Sequence, residues 1–166
     1  FTEMGIKIKA LIARKKPGDD SVPLSLMSKV AVVYWSGTGN TEAMAMAVAE
    51  GAKGKGAEVS VITAAEFSPE QVGEYSAIAF GCPSMGSEQL EESKFEPMFT
   101  ACEGRLSGKN IALFGSYGWG DGEWMRSWES RCNDDGANLA CESVICNEAP
   151  DDDALAACRE LGASLA

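Results

Sequence analysis

Residues 30–41 read Val30-Ala31-Val32-Val33-Tyr34-Trp35-Ser36-Gly37-Thr38-Gly39-Asn40-Thr41. The first six are apolar, which is typical of a strand covered on both faces of a sheet, and the residues from Glu42 to Glu50 are typical of a helix. The turn between them offers hydroxyl and amide donors, and its two glycines can point several backbone N–H groups inward. Because a helix N-terminus also attracts anions, these residues predict a phosphate-binding turn.

The predicted turn would hold its anion almost wholly with neutral donors, because no Lys or Arg lies between Lys29 and Lys53. Nucleotide hydrolases have a Lys after the glycines of their phosphate loop, and the dinucleotide fingerprint has a third Gly at the position of Glu42. The alternative is a Gly/Ser/Thr turn before a capped helix. A ligand site is favoured by the position directly after a strand, since ligands of open α/β sheets lie beyond the carboxyl ends of strands.

The stretch Val33-Tyr34-Trp35-Ser36-Gly37-Thr38-Gly39-Asn40-Thr41-Glu42 resembles the flavin mononucleotide (FMN) phosphate loop of flavodoxins, especially the short-chain type of anaerobic bacteria. Two later stretches are also similar to that family: Gly81-Cys82-Pro83-Ser84-Met85-Gly86-Ser87-Glu88 and Leu113-Phe114-Gly115-Ser116-Tyr117-Gly118-Trp119-Gly120. Three such loops in the right order are highly specific, and the similarity extends from about Lys29 to the C-terminus. The resemblance implies noncovalently bound FMN. It implies these cofactor-binding residues: Ser36, Gly37, Thr38, Gly39, Asn40, Thr41, Pro83, Ser84, Met85, Gly86, Ser87, Glu88, Ser116, Tyr117, Gly118, Trp119 and Gly120.

Strand and helix patterns alternate along the rest of the chain. Strands are predicted at Lys29–Trp35, Glu58–Ile62, Tyr75–Gly81, Asn110–Gly115 and Val144–Cys146. Helices are predicted after the first turn, at 69–73, from Glu91, around 124–132 and from Pro150. This alternation implies one α/β domain over residues 29–166, with a doubly wound, five-stranded parallel sheet. The strand order 2-1-3-4-5 is what the flavodoxin resemblance implies.

Residues 1–28 do not look like part of this domain. The stretch Lys7-Ile8-Lys9-Ala10-Leu11-Ile12-Ala13-Arg14-Lys15-Lys16 is basic, its apolar run is too short for a signal peptide, and Pro17-Gly18 interrupts it. We predict a loosely ordered N-terminal extension, with Met27 as a candidate for the natural start. The alternative is a basic arm that binds a membrane surface or a partner.

The composition suits one globular domain with a core, since 45% of the 166 residues are hydrophobic. The net charge is −11, and residues 29–166 contain 22 acidic and 9 basic residues. Such a surface disfavours nucleic acid and anionic membranes and favours transient docking of basic-faced redox proteins, although ordinary solubility is a simpler explanation. No apolar run approaches the roughly 18 residues that cross a bilayer. We expect a monomer that acts in the cytoplasm.

Six cysteines are spread through the chain without a C-x-x-C pair, and the chain has no His. A mixed metal site or a disulfide framework is therefore not expected. We predict reduced, mostly buried thiols, as in cytosolic proteins. Cys82 lies in a predicted ligand loop, so its reactivity is an alternative to burial.

The flavin ring is expected between the loops after the third and fourth strands, next to the switch point of the sheet. Trp119 matches the family's aromatic residue beside the ring, and Met85 can pack on the opposite face. Trp35 and Tyr117 are expected to support these contacts. The resemblance also implies that the peptide of Gly86 turns its carbonyl towards the N5 proton of a one-electron-reduced flavin. Such a hydrogen bond contributes about 0.5–1.5 kcal/mol.

Ser87 and Glu88 complete this turn. Many flavodoxins have Asp at the position of Ser87, so the energetics of the turn should differ here. Glu88 matches the carboxylate that accepts a hydrogen bond from the pyrimidine N–H of the ring, with a solvated surface charge as the alternative. The phosphate and a group of acidic residues should oppose a second reduction, each charge by about 0.4–1.7 kcal/mol at ~10 Å. This group comprises Glu88, Glu91, Glu92, Asp121 and Glu123.

These features predict a low-potential one-electron carrier that shuttles electrons between redox enzymes, and not an enzyme. With no His and no evident nucleophile–base pair, acid–base and hydrolytic chemistry have few candidates. The first alternative is an NAD(P)H-dependent quinone reductase or nitroreductase of the same fold, which would need a second pocket over the ring. The second is a flavin-free signalling module, which would need an acidic cluster where the first strand ends. Trp35-Ser36-Gly37 offers none there.

Overall fold

The computed structural model describes residues 28–166. The predicted extension, with its basic stretch and Met27, lies almost entirely outside these residues, so those expectations stay predictions. In the part of the chain that the structure describes, none of the helices has the length and apolar character needed to span a bilayer.

Strands and helices alternate along the described chain. The strands are β1 (Lys29–Tyr34), β2 (Glu58–Thr63), β3 (Ala77–Gly81), β4 (Asn110–Tyr117), β5 (Asn138–Leu139) and β6 (Val144–Asn147). The helices are α1 (Asn40–Gly54), α2 (Pro69–Val72), α3 (Phe95–Cys102), α4 (Glu123–Asp134) and α5 (Asp152–Leu165). Short 3₁₀ turns follow β2 and α3 at Ala64–Glu66 and Glu103–Arg105.

The strands form one parallel sheet in the order β2-β1-β3-β4-β5, and β6 also pairs with β4. In the register of the central strands, Val30 of β1 lies opposite Val59 of β2 and Ala77 of β3. Because every pair is parallel, the carboxyl ends of the strands lie at one edge of the sheet. The predicted doubly wound sheet with the order 2-1-3-4-5 is confirmed.

The fifth position of the sheet is filled by two short strands, where the sequence predicts one. β5 pairs with Asn110 and Ile111, and β6 pairs with β4 from Phe114 onward. The four residues 140–143, between β5 and β6, therefore lie opposite only two residues of β4, 112 and 113, and the chain bulges there. A side-chain hydrogen bond of 2.7 Å from Ser143 to Glu129 of α4 holds the bulge.

Side chains alternate across the sheet, so each strand contributes to two cores. Val30, Val32 and Tyr34 lie in the core beneath α1 and α5. Ala31 and Val33 lie in the core beneath α3 and α4. Since both faces are covered, the strands read as continuous apolar runs in the sequence.

Helices α1 and α5 touch backbone to backbone at two glycines. A Cβ atom placed on Gly162 would lie 1.9 Å from the carbonyl oxygen of Val48, and one on Gly51 would lie 1.8 Å from the carbonyl oxygen of Arg159. No side chain larger than hydrogen fits at either position without moving a helix. This contact sets the distance of both helices from the sheet.

An aromatic cluster fills the other core. The ring of Trp128 packs edge-on against Phe95 and Phe99, with centroid distances of 5.4 and 5.7 Å. The guanidinium of Arg131 lies 5.0 Å over the ring of Phe99 and is paired with Glu96 and Glu103, at 2.6 Å from each. α3 and α4 are thus joined by both apolar and ionic contacts.

Candidate functional site

The three predicted loops follow β1, β3 and β4 and meet at the carboxyl edge of the sheet, around a cleft of about 420 Å³. This volume lies within the usual range of small-molecule sites, about 300–1,000 Å³. The structure brings nine of the predicted residues into the wall of the cleft: Gly37, Thr38, Asn40, Pro83, Ser84, Met85, Ser116, Tyr117 and Gly118.

Hydrogen bonds between the loops fix the shape of this cleft. The backbone N–H of Ser84 donates to the carbonyl of Ser116 at 3.0 Å, which joins the second and third loops. The hydroxyls of Thr41 and Ser116 lie 3.2 Å apart, which joins the start of α1 to the third loop. Both residues are buried; Ser116 lines the cleft, whereas Thr41 does not.

The first loop leaves the start of α1 open to an anion. Gly39 has a φ of 94°, a left-handed conformation that favours glycine, and its N–H donates to the hydroxyl of Ser36 at 3.0 Å. No side chain caps α1, whereas the side chain of Asp151 caps α5 by accepting from the N–H of Ala154. The free N–H groups of the first turn of α1 therefore remain available at the loop.

Trp35 explains why the loop needs a glycine at position 37. A Cβ atom on Gly37 would lie 2.9 Å from the indole of Trp35, so a larger residue would displace the ring. Trp35 itself lines the cleft. Tyr117 also lines it and packs on Trp124 with a centroid distance of 5.5 Å. Both aromatics thus shape the wall of the cleft.

The second loop is a tight hairpin. Met85 and Gln89 exchange backbone hydrogen bonds of 2.7 and 2.8 Å, and the loop between them contains Gly86, Ser87 and Glu88. Gly86 and Glu88 both have a φ of 55°. For Gly86 this conformation carries no steric cost, so its peptide can change orientation easily.

The carboxylate of Glu88 has one oxygen atom that receives no hydrogen bond. Its Oε1 atom is buried and has no hydrogen-bond partner among the described residues. The third loop makes room for this carboxylate, because a Cβ atom on Gly120 would lie only 2.2 Å from Oε1. A buried acceptor left unpaired costs free energy. The structure does not bring Ser87 and Glu88 into the wall of the cleft, because both line a neighbouring groove of about 380 Å³.

Two large apolar side chains stand beside the cleft with much of their surface in solvent. Trp119 is 61% exposed and Met85 is 39% exposed. Met85 is part of the wall, whereas Trp119 lies outside it. Exposed apolar groups at the mouth of a cleft are typical of surfaces that pack against a ligand or a partner.

Glu91 has a different role from the one its sequence context indicates. It is buried, and its carboxylate accepts hydrogen bonds from the N–H groups of Ser93, Lys94 and Phe95 at 2.7–2.9 Å. Burial alone would raise the pKa of Glu91, but these bonds and one from the Ser93 hydroxyl outweigh it and lower the pKa. Glu91 is therefore buried, unlike an exposed acidic residue. Its carboxylate caps α3, and this explains why the helix begins at Phe95 and not at Glu91.

Two other members of the acidic group are paired. Asp121 and Glu123 both accept from Arg126, at 2.9 and 2.8 Å, so their charge is partly neutralised. Glu88 is half-buried on the second loop, and Glu92 is exposed on the segment after that loop.

Cys82 is a buried structural residue. Its sulfur accepts the N–H of Glu91 at 3.3 Å, and burial raises the pKa of its thiol well above the ordinary value. A protonated, inaccessible thiol reacts slowly, so the structure favours the prediction of a buried Cys82 over that of a reactive one. All six cysteines lie within the described chain and are free thiols, four of them buried.

The cleft and its surroundings also contain residues that the sequence reasoning missed. Glu148 and Ala149, just after β6, line the cleft, and the N–H of Glu148 donates to the carbonyl of Tyr117 at 2.7 Å. The rule that ligand loops follow strands would have found them. Lys94 lines a second groove of about 350 Å³ together with Ser36 and Gly39. No pattern along the chain links Lys94 to the first loop.

Comparison with known proteins agrees with the flavodoxin resemblance of the three loops. The flavodoxin model matches residues 32–162. A flavodoxin of Megasphaera elsdenii is 46% identical over 137 residues, covering 82% of this chain and 98% of that protein. A flavodoxin of Clostridium beijerinckii is 43% identical over 135 residues, covering 81% and 97%. The solution structure of the two-electron reduced Megasphaera elsdenii flavodoxin matches with a TM-score of 0.76, covering 82% of this chain and 97% of that one.

A shorter match concerns the alternative enzyme. An NAD(P)H dehydrogenase (quinone) of Rhizobium rhizogenes is 54% identical over 50 residues, which cover 30% of this chain and 25% of that protein. The flavodoxins, in contrast, match over nearly their whole length. The chain therefore belongs to the flavodoxin family, as an electron-transfer protein that binds FMN noncovalently.

Proposed function

We propose that this protein carries single electrons at low potential between redox enzymes, with the phosphate of FMN at Ser36–Thr41 and the ring between Met85 and Trp119. The observation that carries this proposal is the single cleft formed by three loops that are distant in sequence. The neutral donors of the first loop suit the phosphate. The second and third loops offer apolar surface and a lone carboxylate acceptor to the ring.

The bound flavin supplies a ring that can take up electrons one at a time. Gly86 would tune this property, because its carbonyl could accept a hydrogen bond from an N–H group that is present only on the reduced ring. A hydrogen bond made in one redox state contributes about 0.5–1.5 kcal/mol, which is about 20–60 mV for one electron. Glu88, whose Oε1 atom has no partner among the described residues, would accept a hydrogen bond from the pyrimidine edge of the ring.

Acidic groups make the second electron harder to add. Glu148 lines the cleft, Glu88 lies on the second loop, and Glu92 lies three residues after that loop. Each charge at ~10 Å opposes a further electron by about 20–70 mV before screening by salt. These charges, with the phosphate, keep the potential of the second step low.

The family role implies transient contact with redox partners, and we propose that these partners present a basic face. The net charge of −11 supports this, because opposite charges steer and orient short-lived encounters. We further propose a monomer in the cytoplasm, where six free thiols persist in reduced form.

The reductase alternative predicts turnover by the protein alone. A hydride donor would need access to one face of the ring, whereas Met85 and Trp119 are proposed to cover both. Steady NAD(P)H oxidation with a quinone, by the pure holoprotein, would favour the alternative over the carrier.

A binding titration tests the placement of the ring. Trp119→Ala combined with Met85→Ala should weaken FMN binding to the apoprotein about 10- to 100-fold, since each ring contact contributes about 0.5–1.5 kcal/mol. Met46→Ala is the matched control, because Met46 is also an exposed methionine, 46% exposed, but lies on α1 outside the cleft. Equal affinities for the double variant and the parent protein would refute this placement.

A further inference from the structure

A groove of about 350 Å³ adjoins the phosphate turn on the side of β2. Its wall contains Ser36, Gly37 and Gly39 from the turn, residues 63–65 at the end of β2, and Lys94 before α3. Gly37 lines both this groove and the cleft, so the two share the backbone of the turn as a common wall.

The backbone at Lys94 is held firmly in this position. Its N–H donates to the buried carboxylate of Glu91 at 2.8 Å, and the next residue, Phe95, is fully buried in the aromatic core. The side chain of Lys94 is exposed and does not cap α3. A fixed backbone with a long, free side chain can bring a charge to the turn without disturbing the fold.

Lys94 is the one cation in the walls of the groove and the cleft. Within residues 28–166 it forms no salt bridge. Glu42 also lines the groove and accepts a hydrogen bond of 3.0 Å from the hydroxyl of Tyr34, but it is not among the salt-bridge partners of the described cations. The ammonium group is therefore available to an anion bound at the turn.

We infer that Lys94 is an electrostatic contact for the phosphate of FMN, an inference that rests on the proposed site. The ligand chemistry is a phosphate monoester dianion, which the first loop otherwise meets with neutral donors. An ammonium group several ångströms from a dianion at a protein surface strengthens binding about three- to tenfold, and salt reduces the effect. Lys94 thus favours FMN over flavins without a phosphate.

The test compares FMN with riboflavin, which has the same ring and side chain but no phosphate. Lys94→Gln should weaken FMN binding to the apoprotein about three- to tenfold at low ionic strength and leave riboflavin binding unchanged. In 0.5 M salt, where the Debye length is only about 4 Å, the variant and the parent protein should bind FMN almost equally well. Thermal unfolding of the apoprotein should not change, because the side chain caps nothing.

Lys53→Gln is the matched control. Lys53 lies in the last turn of α1, at the far end of that helix from the phosphate turn. Its substitution removes the same charge and should leave the ratio of FMN to riboflavin affinity unchanged.

Equal losses for both flavins, or no loss for FMN, would overturn the role of Lys94 while leaving the proposed function intact. Failure of the parent protein to bind FMN at these loops would overturn both.

Discussion

At the scale of single residues, Asp135 shows how one proton links pH to stability. Its Oδ2 atom is buried, and no donor among the described residues reaches it. Burial, followed by the hydrogen bond and charge of Glu103, raises the pKa of Asp135 to about 6. Arg131 lowers the pKa of Glu103, so the shared proton belongs to Asp135.

The sign of the pH effect follows from this raised pKa. Between the ordinary value of 3.8 and about 6, the folded state binds more protons than the unfolded state, so stability falls as the pH rises through that window. Asp135→Asn should therefore stabilise the protein by about 1 kcal/mol at pH 8 and change little at pH 4. Urea unfolding at both pH values measures this. Asp134→Asn, at the exposed neighbouring residue, is the control, and a pH-independent gain would contradict the mechanism.

Gly86 carries a prediction about the redox potential. A Cβ atom at this position would meet nothing within 4 Å, so Gly86→Ala introduces no clash and acts only through the φ of 55°. Ala disfavours this conformation and the change of peptide orientation, so the potential of the first electron should fall by about 20–60 mV. Gly73→Ala, also in open space but with an ordinary φ, should leave the potential unchanged. A first potential that Gly86→Ala does not move would refute the peptide mechanism.

Sequence reasoning located the loop residues but misread one carboxylate. The flavodoxin resemblance implied Ser84, Ser116 and Gly118, and the structure brings them together in the wall of the cleft. Glu91 lies next to Glu92 in the sequence and looks like a surface charge. Its burial depends on the N–H groups of α3, which only the folded loop directs at it. The contact of Lys94 with the groove likewise depends on where α3 starts.

At the scale of elements, the crossing of α1 and α5 depends on two glycines. Gly162→Ala should destabilise the holoprotein by about 1–3 kcal/mol, because the methyl group would overlap the Val48 carbonyl and the gain in helix propensity is only about 1 kcal/mol. Urea unfolding with FMN in constant excess measures the change. Gly54→Ala, at the end of α1 with nothing within 4 Å, is the control and should not destabilise. An equally stable Gly162→Ala protein would show that the helices can separate freely.

The division of the last strand into β5 and β6 could not be predicted from the sequence. Val144–Cys146 has an apolar pattern, and the structure confirms a strand there as part of β6. Asn138–Leu139 is too short for any periodic signal, and it becomes a strand only because β4 offers free hydrogen-bonding groups beside it. Alternation of longer elements, in contrast, was sufficient to predict a doubly wound sheet.

At the scale of the whole molecule, the fold collects three loops at one edge and surrounds them with an acidic surface. Parallel strands alone require the loops after β1, β3 and β4 to lie at the same edge. The strand order, which brings the loops of β1 and β3 side by side, came from family resemblance and not from any pattern in the chain. Trp119 and Met85 are exposed at that edge, so at the proposed site they would lie between the cofactor and a docked partner.

Stepwise reduction of the holoprotein, followed by absorbance and electrode potential, shows whether these loops make the cofactor a one-electron carrier. We predict two separate one-electron steps, the second at a clearly lower potential. The long-wavelength absorbance of a neutral, one-electron-reduced flavin should rise in the first step and fall in the second. A single two-electron bleaching without that intermediate absorbance would contradict the account.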